Sequence, residues 1–152
     1  MRMSYVIIWI ALAGLLILAS CAKKAPEPPI PGKVMVFRAA NCGCCSVYAD
    51  YLKKRGVDME LQTVPDMQAI KNNVGVPANM LSCHTSKVDG YYIEGHVPVE
   101  AIQKLLGERP DIAGIAMPGM PSGSPGMPGS KNGPLVIYAV KKDGSVNEFM
   151  RL

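Results

Sequence analysis

The fold of this chain is decided by residues 34–54, which read VMVFRAANCGCCSVYADYLKK. The apolar run predicts a β-strand from Lys33 to Arg38, and the apolar spacing after it predicts a helix from Cys44 to Arg55. Three of the chain's five cysteines lie where the strand gives way to the helix, at positions 42, 44 and 45. Because a helix N-terminus carries partial positive charge, it favours the thiolate, the form that binds soft metals or attacks disulfides. The stretch therefore predicts a reactive thiol cluster at a strand-to-helix turn.

The residues after this turn predict the order βαβα, then a β-hairpin, then a helix. Alternating apolar and polar residues at 57–62 indicate a strand, and a second helix is predicted from Asp66 to Gly75. The first two strands are expected to lie parallel, because the first helix crosses over between them. This α/β order is the thioredoxin-like arrangement. In such folds a proline before the third strand often lies close to the cysteine motif, and Pro77 is the candidate.

The hairpin and the third helix follow. Residues 80–85 are predicted to form a short strand, and residues 91–97 its return strand. Pro98 is expected to begin the third helix, which Gly107 ends. About half of residues 114–134 are Gly or Pro, so no regular element is predicted there. Strands at 135–140 and 146–150 are expected to close the chain as a second hairpin.

The N-terminus predicts an export signal. The apolar run from Val6 to Leu18 follows Arg2 and is shorter than the roughly 20 residues that a bilayer span needs. It ends in Leu-Ala-Ser before Cys21, the order of a bacterial lipoprotein signal, with an uncleaved anchor helix as the alternative. We expect a signal peptide at 1–20, a lipid anchor on Cys21, a proline-rich tether at 21–32 and one domain at 33–152. Ala22 favours retention at the outer membrane, on its periplasmic side.

Composition excludes several classes of function. The formal net charge of +4 is too small and too scattered to indicate nucleic-acid binding. The glycines of the 114–134 stretch do not follow a strand-to-helix context, so they are not a nucleotide fingerprint. No serine or carboxylate constellation stands out either.

The four cysteines beyond Cys21 leave two interpretations open. In an oxidising compartment Cys42, Cys44, Cys45 and Cys83 are expected to form two disulfides. However, three of them are crowded together, which suits a metal or redox site better than a structural staple. Cys42 and Cys45 form a CxxC pair, and Cys44 between them offers a competing thiol. Three thiolates suit Cu(I), whereas zinc usually takes a well-spaced tetrahedral set.

Other candidate ligands lie further along the chain. Cys83 is favoured as a ligand over a buried apolar role, while His84 is balanced between a ligand and a solvated strand end. Both reach one site only if the strand ends or kinks there. On spacing alone His96 reads as a cap or a surface residue. Three loop methionines are either copper ligands or lid residues, or else apolar anchors of the loop; they are Met117, Met120 and Met127.

Several motifs in order resemble the CopG-type periplasmic metal-binding proteins, a family associated with copper resistance. They are NCGCC at 41–45, GVP at 75–77, LSCHT at 81–85, VDGY at 88–91, IEGHVP at 93–98, and MPGMP with GSPGM at 117–127. The resemblance implies a thioredoxin-like fold with copper held by cysteines and histidine. By position it implicates Cys42, Cys44 and Cys45, then Cys83 and His84, and also His96. Tyr48 stands where tryptophan is expected, a change that concerns helix packing more than ligation.

The sequence thus favours a lipid-anchored copper-binding protein over an enzyme. Copper, as one or more Cu(I) ions, is expected at the four thiols with His84 or His96, and Met117 and Met120 are candidate further ligands. Its partners would be proteins that donate or accept copper, and no nucleic acid. The alternative is a thiol oxidoreductase, with Cys42 attacking and Cys45 or Cys44 resolving. A third hypothesis is a disulfide-stapled module that binds nothing.

Overall fold

The structure is a computed structural model that describes residues 29–152. The predicted signal peptide, the Cys21 anchor and most of the tether lie outside these residues. No helix in the described part has the length and apolar character to cross a membrane.

Seven strands of the described residues form one mixed sheet, on which three α-helices pack. The strands are β1 (Val34–Arg38), β2 (Met59–Thr63), β3 (Thr85–Val88), β4 (Tyr91–Glu94), β5 (Gly114–Ala116), β6 (Val136–Val140) and β7 (Val146–Arg151). The helices are α1 (Gly43–Lys54), α2 (Met67–Val74) and α3 (Val99–Glu108). The predicted α/β class is confirmed.

The sheet order is β2-β1-β3-β4-β5-β6-β7. β1 and β2 are parallel, and α1 connects them, as the sequence predicts. β3 and β4 form the predicted antiparallel hairpin, and β6 and β7 form the C-terminal one. The two ends of α2 also follow their sequence signals. Asp66 caps its first turn by accepting from the Ala69 amide, and Gly75 ends it in the left-handed conformation.

The core divides between the two faces of the sheet. Leu52 of α1 and Ile102 of α3 pack with Ile93 and Ile115 in the main cluster. Val74 of α2 packs beside Tyr92 and its neighbours in a second cluster. Because successive strand residues point to opposite faces, α1 and α3 cover one face and α2 covers the other.

The predicted strand at 80–85 is wrong. Residues Ala78–Met80 form a 3₁₀ turn, and β3 begins only at Thr85, the first residue that pairs with both neighbouring strands. Before it, the Ser82 amide is taken by the Glu94 side chain and the Leu81 carbonyl by Gly119, so no strand ladder forms there. The return strand stops at Glu94 because Gly95 adopts a left-handed φ of 82°.

Two smaller predictions need correction. The first three residues of the Gly- and Pro-rich stretch form β5, where Gly114 fits because a Cβ would lie 2.2 Å from the Tyr92 carbonyl oxygen. α3 ends at Glu108 rather than Gly107, and Arg109 takes the left-handed position. The described chain contains no cis peptide bond, so Pro77 is trans.

Candidate metal centre

The thiol turn is held at the start of α1. Cys42 is the N-cap residue in an extended conformation, and its side chain makes no capping bond. Arg38, at the end of β1, donates from Nη1 to the Cys42 carbonyl at 3.2 Å and to the Ser46 hydroxyl at 3.1 Å. The guanidinium and the helix N-terminus both bring positive charge to the turn, which favours bound thiolates.

Cys42 and Cys45 form a disulfide, with their Cα atoms 5.4 Å apart. Cys44 and Cys83 are free thiols. The prediction of two disulfides is therefore wrong for the described residues, since Cys44 and Cys83 lie 3.8 Å apart between Sγ atoms without a bond. Two electrons and two protons would convert the disulfide into two further thiols.

Cys83 is the residue at which the separate parts of the site meet. Its Sγ lies 3.8 Å from Cys44 Sγ and 3.7 Å from Cys45 Sγ. On its other side it lies 2.9 Å from His96 Nε2 and 3.3 Å from His84 Nδ1. Cys83 and His84 reach one site because β3 has not yet begun at these positions, which meets the condition set by the sequence, and His96 approaches from the residues after β4.

His96 is fully buried and has a fixed orientation. Its Nδ1 donates to the Pro125 carbonyl at 2.6 Å, so Nε2 carries the lone pair that faces Cys83. Burial lowers the pKa of His96, and the Pro125 carbonyl partly opposes that shift. A buried, neutral imidazole whose second nitrogen donates to a backbone carbonyl has the arrangement common to metal-binding histidines.

His84 is also fully buried. Burial lowers the pKa of His84 to about 3, with smaller contributions from the charges of His96 and Lys71. It is therefore neutral at physiological pH, as a ligand must be. Its Nε2 has no hydrogen-bond partner within residues 29–152. This sets His84 apart from the solvated strand end that was its alternative.

Tyr48 of α1 packs against both imidazoles. Its ring centroid lies 4.5 Å from that of His84 and 5.5 Å from that of His96. Its hydroxyl donates to the Val97 carbonyl at 2.9 Å. Tyr48 thus fixes the two rings relative to the thiol helix.

The Cys83 thiol is protonated in the metal-free protein. Burial, with a smaller contribution from the neighbouring Cys44, raises the pKa of Cys83 to about 12. The positive charge of a bound metal ion would offset this penalty, so binding would release the proton.

The Gly- and Pro-rich loop, residues 117–134, covers part of this site. Besides accepting from His96 through Pro125, it passes so close to α1 that a Cβ on Gly126 would lie 2.8 Å from the Tyr48 amide nitrogen. Met117 is 1% exposed and belongs to the main core, as an apolar anchor would, whereas Met120 is 53% exposed. Met127 is half-buried.

The donors fit a soft cation. One group that could hold a metal ion is Cys42, Cys44, Cys45 and Cys83, and the other is Cys83, His84 and His96. Within each group the ligand atoms lie within 4.8 Å of one another. Sulfur and imidazole donors suit Cu(I) or zinc rather than magnesium or calcium. The structure thus brings the four thiols and both histidines together, and separates Met117 and Met120 by their burial.

Sequence reasoning missed the residues that hold this set in place. Glu94 lies within the IEGHVP motif but received no role, and Lys71 gave no signal because it is one lysine on a short polar helix. Pro125 acts through its backbone carbonyl, which no side-chain pattern reveals. The repeated glycines of the loop were the available sign of close backbone packing, and in the structure Gly119, Gly123, Gly126 and Gly129 have positive φ.

Comparison with known proteins yields a family model and solved structures. The model described as "Protein of unknown function, DUF411" matches residues 80–127. Two solved structures, titled "Copper resistance protein copG" Form 1 and Form 2, are each 39% identical to this chain and cover 82% of it. The matches extend over 98% and 99% of those chains, with TM-scores of 0.74 and 0.75. No curated protein sequence matches.

Proposed function

Because this chain belongs to the CopG-type family of copper resistance proteins, we propose that it binds copper as Cu(I) in copper resistance or homeostasis. One observation carries the proposal. Three cysteine sulfurs of the α1 turn and two buried, neutral imidazoles converge on Cys83, although this residue is distant from the turn in sequence. Such a cluster of soft donors matches Cu(I) in ligand type.

The shared position of Cys83 supports more than one bound ion. Cys83 belongs both to the four-thiol group and to the group with His84 and His96. A thiolate can bridge two Cu(I) ions, so one ion held mainly by sulfur and a second held on the histidine side fit the arrangement. The exposed Met120 would either help to load copper into the site or shield the site from solvent, while Met117 anchors the loop.

Copper binding by all four thiols requires prior reduction of the Cys42–Cys45 disulfide. This disulfide also favours the second candidate function, a thiol oxidoreductase. The free Cys83 sulfur lies 3.7 Å from Cys45 Sγ. As a thiolate it would attack Cys45, form a Cys45–Cys83 disulfide and release Cys42 as a thiolate. A combined role, in which the redox states of copper and thiols change together, follows from the same geometry.

The setting of the protein is part of the proposal. Copper resistance proteins among its relatives favour the cell envelope, and the N-terminal sequence favours a lipid anchor on Cys21 at the periplasmic side of the outer membrane. Proteins that donate or accept copper would be its partners. The parallel β1–β2 pair joined through α1, with the thiols at the start of that helix, supports a thioredoxin-like domain at 33–152.

Anaerobic metal analysis separates the two functions. The reduced chain would be loaded with Cu(I), desalted and analysed beside the Cys44→Ser variant, because Cys44 contacts both Cys42 and Cys83 but is not part of the disulfide. Binding predicts stoichiometric copper that falls in the variant. Unchanged copper content together with altered disulfide-reductase activity would instead support the oxidoreductase and overturn the binding proposal.

A further inference from the structure

A buried ion pair lies behind the site. Lys71 of α2 is 5% exposed and Glu94 of β4 is fully buried. Lys71 Nζ donates to Glu94 Oε1 at 2.5 Å and to the Thr85 hydroxyl at 3.1 Å. Removing two charges from water costs several kcal/mol for each ion, roughly, unless their remaining hydrogen-bonding groups are satisfied.

The carboxylate of Glu94 accepts three hydrogen bonds. Besides Lys71, the Thr85 hydroxyl donates to Oε2 at 2.6 Å. The third donor is the backbone amide of Ser82, 2.7 Å from Oε1. A carboxylate-to-amide bond is charge-assisted and hence among the stronger ones. It connects the ion pair directly to the residue before Cys83.

Few other hydrogen bonds hold the backbone at 81–84. It lies between the 3₁₀ turn and β3, so no strand ladder holds it. The Gly119 amide donates to the Leu81 carbonyl, and the Gly95 amide donates to the His84 carbonyl. Between these two points the Ser82 hydroxyl donates to the Gly119 carbonyl at 2.5 Å. The bond to Glu94 is the one that holds the backbone amide of Ser82, the residue before the ligand Cys83.

We propose that Glu94 is a positioning residue for Cys83. Its carboxylate clamps the Ser82 amide and so keeps the Cys83 sulfur within reach of the α1 thiols and the histidines. Lys71 satisfies and orients the carboxylate, and contacts neither sulfur nor copper in this role. The inference rests on the proposed function only in its consequence for copper, because the placement of Cys83 can be measured without metal.

Two double variants separate the clamp from the ion pair. Lys71→Met with Glu94→Leu removes charge and acceptor together, and replacing both members of a buried pair by apolar residues is often compatible with folding. Lys71→Met with Glu94→Gln also removes the charges but keeps an oxygen for the Ser82 amide and a donor for Thr85. The two variants differ in the acceptor at position 94.

The metal-free measurement uses the full-length chain in detergent with Cys21→Ser, Cys42→Ser and Cys44→Ser, so that Cys45 and Cys83 are the only thiols. Equilibration with glutathione gives the effective concentration of these two thiols for each other. We expect it to fall about tenfold in the Leu variant, the size of one lost hydrogen bond to a charged group, and to stay within about threefold in the Gln variant. Equal values in both variants would overturn the clamp.

The four-thiol chain is then tested by Cu(I) competition with a chromophoric chelator. The Leu variant should bind copper about tenfold more weakly than the Gln variant, in proportion to its disulfide equilibrium. If the thiol equilibrium shifts as expected but no version of the chain binds copper, the proposed function fails and the clamp stands. If copper binds and the thiol equilibrium does not shift, the clamp fails alone.

Amide hydrogen exchange covers the case in which the Leu variant does not fold. In the unsubstituted chain the Ser82 amide should exchange as slowly as the paired amides of β3, although it belongs to no strand. Exchange at the rate of an exposed amide would overturn the proposal without any variant.

Discussion

The two halves of the site are held by different kinds of structure. The thiol turn at 42–45 is the start of a regular helix, with the Arg38 side chain bound to its backbone and to Ser46. The segment at 81–84 has no regular structure and is held by Glu94, by the Ser82 hydroxyl bonded to the Gly119 carbonyl, and by backbone bonds from Gly95 and Gly119. The turn is thus fixed by neighbours in sequence, and the segment by residues from β4 and the loop.

This difference has a consequence for sensitivity to change. A helix N-terminus keeps its geometry as long as the helix packs, so the turn should tolerate single substitutions around it. The segment depends on several distant contacts, each of which can be lost separately. The following predictions test this contrast, beginning with the largest expected effect.

Replacing the Cys83 sulfur of the 81–84 segment should weaken Cu(I) binding more than replacing one sulfur of the turn. Cys83→Ser removes contacts to two sulfurs and two histidines. We therefore expect Cu(I) affinity to fall by more than about a hundredfold, which is more than the loss of a residue that only supports a ligand would cause. Cys44→Ser, the matched control, removes a ligand from the four-cysteine group only and should reduce affinity by a smaller factor. Chelator competition under anaerobic conditions measures both, and equal losses would remove the special position of Cys83.

His84, in the 81–84 segment, should also make the stability of the metal-free protein sensitive to acid. The pKa of His84 is about 3 when folded, below its ordinary value of 6.5, so the unfolded chain binds more protons between these values. Stability is then complete above about pH 6.5 and should fall by about 2 kcal/mol by pH 5. Urea unfolding of reduced, metal-free protein measures this slope.

The control for that measurement is His84→Gln, which removes the titrating group from the same cavity. Its stability should change less over the same pH range, with the remaining slope coming from His96. An unsubstituted protein that keeps its stability down to pH 5 would show that the His84 side chain is hydrated in solution.

The smallest effect concerns the contact between the loop and the thiol helix. Gly126 and Gly119 both have a left-handed φ, but only Gly126 would place a Cβ near α1, 2.8 Å from the Tyr48 amide nitrogen and 3.1 Å from the Cys44 carbonyl oxygen. Gly126→Ala should therefore destabilise the protein by about 1 kcal/mol more than Gly119→Ala. Thermal unfolding compares the two, and equal losses would mean that the loop does not press on the helix.

The same contrast explains how much could be predicted from sequence. The turn at 42–45 was predictable because strand, cysteines and helix are contiguous and their periodicity is local. Asp66 and Gly75 likewise revealed the ends of α2. The segment at 81–84 was predicted as strand because Met80 and Leu81 are apolar, whereas its hydrogen bonds go to Glu94 and Gly119, which no local pattern indicates.

The ligand candidates follow the same rule. Position along the chain already favoured Cys83 as a ligand and left His84 balanced, whereas spacing alone favoured a cap or surface role for His96, which only the resemblance to a family raised. The tautomer of His96 is set by the carbonyl of Pro125, a contact that depends on the path of the whole loop. Met117 could not be assigned from sequence because the loop shows no periodicity, and only its burial identifies it as part of the core.

The first described residues approach the domain at the opposite end of α3 from the thiols. Pro29 and Pro31 line a hollow with Leu106 and Gly107 in the last turns of that helix, whereas His96 precedes its first turn. Eight residues of α-helix span about 12 Å. With the lipid anchor proposed at Cys21, the tether would therefore join the domain away from the sulfur cluster, and a protein that exchanges copper would approach a different end of α3.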